Sequence, residues 1–542
     1  MNNAIRLLAL CACFSAPAFA DSPKLIVQIT VDQLRGDLLH KYQRNFLDKR
    51  NQKGFKRFLN DGTLYINAHY RNATTMTAVG HATLATGALP TEHGILSNGW
   101  IDRYSGEKVY CVADKNTQLL GADGYSASPA NLMASTFSDE LYQASNGKAK
   151  IYAVSTKDRG AVLTGGHFGK AFWFDKNNGN VVSSSYYFDT LPDYAVKFNE
   201  SGLKDSFAGT SWTLSQEEAN YHNDASNRPF QIPPKGFRSG FPHQMPETAD
   251  KAYYGMLAYT PFGDKLTAEF AKQLVTQADM GKDDITDYLS VSFSTNDYIG
   301  HMFGPNSLEA EDNLMNLDRT LADFFSFLDK QVGLDNVLIA LSADHGVDAI
   351  PEYKKSIGFA GFRGNTGKQF EAINQELAEQ FGIEGKLVSR TSMPFLYLDL
   401  ALIEQNKLDI HAVQLAVAKH AATLPGIARV FTRKQLMTED LSFDPIGSKV
   451  QRAYVPSRAG DVVLVQSPSS MFEGYSAATH GSPYKYDTHV PVFFTGWKVK
   501  PRSISRQVSP EDVAVTLSAL MKITYPDKST GQPLDEVVSL AK

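Results

Sequence analysis

Short apolar runs rich in β-branched residues alternate along this chain with segments whose apolar residues recur at helical spacing. Residues 24–31 (KLIVQITV), 151–155, 288–294, 336–342, 461–466 and 490–494 are predicted strands. Residues 308–332 carry Leu314, Leu317, Leu321, Phe324, Phe325 and Leu328 at three- and four-residue steps, which predicts a helix with one apolar face. Ser509, Pro510 and Asp512 ahead of VAVTLSALM signal the start of another. Strands alternating with helices predict an α/β fold, a mostly parallel central sheet between two layers of helices.

Two stretches break this rhythm. Residues 173–188 predict a hairpin around Asn177-Asn178-Gly179-Asn180, and the chain to about 284 is rich in Asn, Ser, Pro and aromatics; residues 350–475 form a second interruption. We read about 173–284 and about 350–475 as insertions that decorate the sheet of one domain spanning 21–542. The Asp175-Lys-Asn-Asn-Gly stretch looks like a calcium loop, but Tyr186 stands where the closing acid belongs, so a plain turn is expected.

Composition removes several classes. With 542 residues, 43% hydrophobic and 20% charged, the chain can bury a large core and is neither disordered nor collagenous. Lys and Arg number 53 against 58 for Asp and Glu, a net charge of −5 without basic runs, which speaks against nucleic-acid binding by bulk charge. Residues 1–20 combine Arg6, an apolar run over 7–14 and Ala18-Phe19-Ala20, the pattern of a signal peptide, so the protein is expected to be exported, periplasmic or secreted. That apolar run is too short to span a bilayer, and no later segment suits a transmembrane anchor. Removing the leader takes Cys11 and Cys13 with it and leaves Cys111, which cannot form an internal disulfide and reads as a buried small hydrophobe.

In open parallel sheets, functional groups collect past the carboxyl ends of strands. Asp32 follows the first predicted strand, Asp297 and His301 the third, Asp344-His345-Gly346 the fourth, and His489 precedes the last. Each alone is ordinarily a cap or a satisfied core group. Together, three Asp and three His at strand ends suit two Zn²⁺ ions with open positions. Thr77 lies just before a run able to open a helix, where free N–H groups favour an anion; beside a metal its hydroxyl could act as a nucleophile. A Thr-rich turn is otherwise a simple N-cap.

The combination of Asp32, Thr77-x-x-Gly-His81, Gly94-Ile95 with Asn98, Asp297-x-x-x-His301, Asp344-His345-Gly346 and His489-Val-Pro resembles the alkaline phosphatase superfamily, in the branch with a threonine nucleophile. That branch includes nucleotide pyrophosphatase/phosphodiesterases and secreted bacterial alkaline phosphatases. Lys157-Asp-Arg159 is similar to the Lys-x-Arg signature of the secreted phosphatases. The resemblance implies a three-layer core in which Asp297, His301 and His489 hold one zinc, and Asp32, Asp344 and His345 hold a second that also binds Thr77. It implies hydrolysis of phosphate monoesters, of broad specificity, through a phosphothreonine. Asn98, Lys157 and Arg159 would take the non-bridging oxygens; a Lys and a forked Arg complement a monoester dianion better than a diester. Away from a site, the same pair would read as a solvated surface.

His480, in Thr479-His480-Gly-Ser, also lies near the end of the motif series, but His489 fits the Val-Pro pattern and is the expected ligand. His81 is expected to support the site or pack beside it, and His93 to be structural. A further calcium or magnesium ion is compatible with the resemblance but no motif locates one, and nothing in the sequence speaks to oligomeric state. The alternatives are a secreted phosphodiesterase with the same two metals and, from another class, a periplasmic binding protein without turnover, against which stands a complete ligand set. A sulfatase is disfavoured because no C/S-x-P-x-R motif occurs, and a phosphoglycerate mutase by the threonine and the leader.

Overall fold

A computed structural model describes residues 22–49, 52–224, 229–238, 240–472 and 474–541; the expected signal peptide lies outside the described residues. Ten strands form the main sheet: β1 (Leu25–Val31), β2 (Thr63–His69), β3 (Leu119–Leu120), β4 (Ile151–Ser155), β5 (Lys170–Phe174), β6 (Val181–Ser184), β7 (Asp287–Phe293), β8 (Val337–Ser342), β9 (His489–Gly496) and β10 (Arg502–Ile504). Their order is β10-β2-β9-β8-β1-β7-β4-β5-β6-β3. The central run from β8 to β5 is parallel, whereas β9 runs antiparallel to both of its neighbours.

The apolar runs form strands because both faces are covered. On one side, Leu25, Val27, Ile29 and Val31 of β1 share a core with helices α3 (Pro261–Gln277) and α5 (Leu308–Gln331). On the other, Ile26 packs with residues of α1 (Thr77–Thr86) and α6 (Asp512–Met521). Helix α2 (Asp158–Gly165) follows β4 and α4 (Thr295–Phe303) follows β7. The register sets Val31 beside Phe293 and Thr30 beside Ser342. Three central strands therefore end at one level, and the residues just past their carboxyl ends meet there.

Two expectations need correction. The 173–188 hairpin is not an insertion: β5 and β6 pair antiparallel within the main sheet, turning through Asp175 and a positive-φ Gly179. The run at 461–466 belongs to a different sheet. Val462–Gln466 pairs antiparallel with Phe395–Leu398 and Ile427–Thr432 in a four-stranded sheet completed by Val388–Ser392. An apolar run announces a strand but not its partners. This second sheet alternates cleanly: Leu396, Leu398, Val462 and Leu464 enter a core with helices Thr366–Phe381 and Ile410–Ala421, while Phe395, Tyr397, Val463 and Val465 pack towards the main domain. Cys111 is buried in that shared core. Among the described residues, no helix is long and apolar enough to cross a membrane.

Candidate metal centre and nucleophile

Asp32, Asp297, Asp344 and His345 gather at the shared carboxyl edge of β1, β7 and β8, all buried. Asp297 occupies the first turn of α4 and His301 the last, one above the other on the same face. Two groups of donor atoms converge: Asp297, His301 and His480, and Asp32, Asp297 and His345. Asp344 completes the second, its Oδ2 3.4 Å from His345 Nε2.

The imidazoles share one arrangement. Nδ1–H of His301 donates to Ala478 O (2.7 Å), that of His345 to Gly346 O (2.9 Å) and that of His480 to Thr75 O (2.7 Å). A carbonyl can only accept, so the proton is assigned to Nδ1 and each Nε2 presents a lone pair. Those lone pairs face carboxylate oxygens: His345 Nε2 lies 3.4 Å from Asp32 Oδ1, and His301 Nε2 and His480 Nε2 lie 3.2 and 3.6 Å from Asp297 Oδ1. Among the described residues, Asp32 Oδ1, Asp344 Oδ2 and His345 Nε2 are buried without a hydrogen-bond partner. Acceptors aimed at acceptors repel unless a cation stands among them, and tetrahedral N/O coordination suits this donor set. The residues fit divalent metal ions.

Backbone carbonyls and Gln33 hold the donors in place. Gln33 adopts φ 66°, a left-handed conformation costly for a non-glycine residue, and is buried. In that pose its N–H donates to Asp344 Oδ1 (3.0 Å) and its Nε2 to Asp297 Oδ1 (2.8 Å), so one side chain and its own backbone tie both ligand groups together. A Cβ at position 300 would run into Gln33 Oε1, so glycine there lets Gln33 keep this pose.

Lys157, expected to reach for a substrate oxygen, instead places Nζ between Asp32 Oδ2 (2.6 Å) and Asp297 Oδ2 (2.5 Å). Burial opposes its charge, yet Asp297 and Asp32 hold its pKa above the ordinary lysine value. Burial, then Asp297 and Asp344, push the Asp32 carboxyl well up, whereas Asp297, despite burial, is drawn well down by Lys157 and His301. Burial and the neighbouring His345 and His301 push His480 well below the usual imidazole range, which keeps its Nε2 lone pair available.

Thr77 is the first residue of α1 and is buried. Ala78 N–H donates to Asn98 Oδ1 (2.9 Å), which leaves the Asn98 NH₂ as the donating end beside Thr77. His81, one turn on, donates from Nδ1 to Thr77 O (2.8 Å), accepts Ser292 Oγ at Nε2 (2.8 Å) and lies 3.4 Å from Asp344 Oδ2. Gly80 lets α1 pack directly on the Asp344 backbone, where a Cβ would collide. Arg159 donates from Nη1 to Tyr110 Oη (3.1 Å), and Tyr110 donates to Asp158 (2.7 Å); Arg159 Nε is buried without a partner. Lys157 and Arg159 line a cleft of about 280 Å³ with Tyr110, Tyr125 and Tyr298.

His489 is not brought into this cluster, and His480 takes the place expected for it. His489 opens β9 opposite His69, stacks on that ring (centroids 4.7 Å apart, 20° between planes) and engages Ile66 O through Nε2 (3.0 Å). The β2–β9 pairing turns its ring towards β2, into a cleft shared with Arg35 and Asp37. His480 sits in an irregular loop with no periodicity to mark it; its only sequence signal is the Thr-His-Gly-Ser run. The sequence patterns also miss Ser292, Tyr110 and Gln33, the last although it adjoins Asp32. His93 is structural, buried between Thr83 Oγ1 and the N–H of Ile95.

A sequence profile of the type I phosphodiesterase/nucleotide pyrophosphatase family matches residues 26–497. The chain belongs to that family. Alkaline phosphatase PafA of Elizabethkingia meningoseptica is 34% identical over 528 residues, covering 95% of this chain and 94% of that protein. Alkaline phosphatase PhoV of Synechococcus elongatus is 33% identical over 96% of this chain and 94% of that one. A Myroides odoratus protein named calcium-transporting ATPase is 33% identical over 98% of both. The 1.7 Å crystal structure of PafA matches with a TM-score of 0.88 at 33% identity, covering 95% of this chain and 99% of that one. Within the family, this chain thus shares its fold and nearly its full length with proteins named as alkaline phosphatases. A solved PafA variant is substituted at a Thr, an Asn, a Lys and an Arg, with the same spacing within each pair as Thr77 to Asn98 and Lys157 to Arg159.

Proposed function

We propose that this protein is an exported alkaline phosphatase that hydrolyses phosphate monoesters in two steps, with Thr77 as nucleophile and zinc as the metal. The observation that carries the reading is the convergence of three partnerless donor atoms, Asp32 Oδ1, Asp344 Oδ2 and His345 Nε2, at the strand edge where α1 brings Thr77. Asp297, His301 and His480 would hold one ion, and Asp32, Asp344 and His345 the other. When bound, such a pair supplies Lewis-acid stabilisation of attacking and leaving oxygens.

The chain's own residues do the rest. The α1 N-terminus presents the positive end of its helix dipole to an anion held by Thr77. Asn98 NH₂ and Arg159 Nε are donors with no other visible duty and would orient the non-bridging oxygens. Tyr110, held by Asp158, fixes the Arg159 fork. His81 keeps the Thr77 turn in register with Asp344.

The test combines Thr77→Ala with metal assay. Wild type should contain about two zinc ions per chain by the two-metal argument, and chelation or Thr77→Ala should reduce kcat/KM on a monoester by about 10³-fold or more. Unchanged hydrolysis after both treatments would overturn the reading. Amino-terminal sequencing of the exported protein should begin near Asp21.

A second reading, phosphodiester hydrolysis, is favoured by the family profile. Comparing kcat/KM on a monoester and a diester with the same leaving group decides between them, and the Arg159 fork supports the monoester. Hydrolysis of ATP would be the same phosphoryl chemistry on an anhydride, so the ATPase name of one relative is compatible with this site.

A further inference from the structure

Beside the metal cluster lies a second cleft, of about 330 Å³, on the side opposite in character to the Lys157–Arg159 cleft. Its inner wall is Met76, the residue before Thr77, together with His480; its outer walls are Met393, Phe395, Val463 and Phe472. None of its described lining residues is Asp, Glu, Lys or Arg. The volume falls within the range of small-molecule sites, and the lining combines apolar side chains with uncharged polar ones such as Thr74, Gln466, Thr479 and Ser482. The strand alternation explains its origin. Phe395 and Val463 point from the second sheet towards the main domain, while their neighbours Leu396 and Val462 enter the separate core behind.

Resting on the monoesterase reading, we infer that this cleft is the subsite for the ester group of the substrate, and that it selects an apolar group, an aryl or extended alkyl alcohol, over a charged one. A phosphoryl group held by Thr77, Asn98 and Arg159 has to project its ester oxygen away from Thr77 for in-line displacement, and an uncharged recess bounded by Met76 and His480 adjoins that point. Thr77 Oγ forms its bond to phosphorus as the P–O(ester) bond breaks; the departing alkoxide or phenolate takes a proton from water and leaves as the alcohol, and a second water then cleaves the threonine ester to release phosphate. Burial of its carbon skeleton against Met393, Phe395 and Phe472 gives the selectivity, and an ionised ester group would lose its hydration there without a partner. The 350–475 region thereby acquires a role: its sheet builds the wall that reads the alcohol.

The test compares 2-naphthyl phosphate with glycerol 2-phosphate in the wild type, Met393→Glu and Thr391→Glu. Thr391 is exposed at the rim, so its substitution leaves the second core untouched. Each variant should lower the naphthyl-to-glycerol ratio of kcat/KM by about ten-fold. A ratio equal to wild type in both variants, whether or not the absolute rates fall, overturns the subsite. Binding of 2-naphthol, followed by its own fluorescence, needs no turnover: it should be detectable in wild type and weakened about ten-fold by Met393→Glu, and equal binding in both proteins also overturns the subsite. If no monoester is hydrolysed but naphthol binding responds as stated, the monoesterase reading fails and the apolar subsite stands.

Discussion

The carboxyl edge of the main sheet and the second sheet at 388–466 are built on opposite terms. At the edge, nearly every side chain is polar, buried and tied by hydrogen bonds that span hundreds of residues, such as Gln33 to Asp344 and His480 to Thr75. In the second sheet the buried side chains are apolar, drawn from a continuous segment, and divided between two cores by strand alternation. The first arrangement tolerates no displacement because each group fixes another. The second can lose volume and stability without moving a ligand. On the proposed reading, chemistry and selectivity draw on different parts of the chain that meet where Phe395 and Val463 share a core with Val79 and Ala82 of α1.

The sharpest way to break that contrast is at the junction, the loop that returns from the second sheet to β9. His480→Ala should lower kcat/KM by about 10³-fold and remove close to one metal ion per chain, while His489→Ala should change activity by less than about three-fold. Metal analysis alongside kinetics checks both. Next in size, Gln33→Ala should weaken zinc binding, read by chelator competition, by about 10–100-fold, as loss of a group that orients ligands does. Gly300→Ala should move it the same way by displacing Gln33. In the second sheet, Leu464→Ala should cost about 2–5 kcal/mol of that region's stability by denaturant unfolding, yet leave kcat/KM on glycerol 2-phosphate within about two-fold.

The smallest effect concerns pH. Asp264 accepts the N–H of Thr295 at the start of α4, and burial pushes its carboxyl up to about 7. A carboxyl raised on folding binds its proton more tightly in the folded state. Its contribution is therefore favourable below about pH 4, the unfolded value, and is lost as pH rises through about 7. Asp264→Asn should flatten the fall in Tm between those limits by a few degrees, roughly 2–4 °C per kcal/mol.

Much of the edge is readable from sequence because its rule is local. Asp32, Asp297 and Asp344 each follow an apolar, β-branched run, and the strands must be buried on both faces to look that way. His480 obeys no such rule. Its position depends on a loop tied to distant parts of the chain, through Ala478 to His301 and through His480 itself to Thr75, 405 residues away. His489 attracts the assignment because it adjoins a strand, but β9 runs antiparallel and its pairing with β2 turns the ring aside. The second sheet is hidden for a related reason: the 461–466 run is a sound strand, and nothing in its composition says which sheet it joins. The apolar cleft arises only when Phe395 and Val463 are set against Met76 and His480, from four separate stretches of chain.

Lys157 bears on how the protein matures. Its ammonium lies between Asp32 and Asp297, so the most acidic point of the interior carries an internal counter-ion supplied by the chain itself. That internal cation offsets part of the cost of gathering these buried carboxylates as the chain folds. In Lys157→Met two buried carboxylates would lack their covalently attached cation, and refolding should become dependent on added metal, as measured by recovery of native fluorescence with and without zinc.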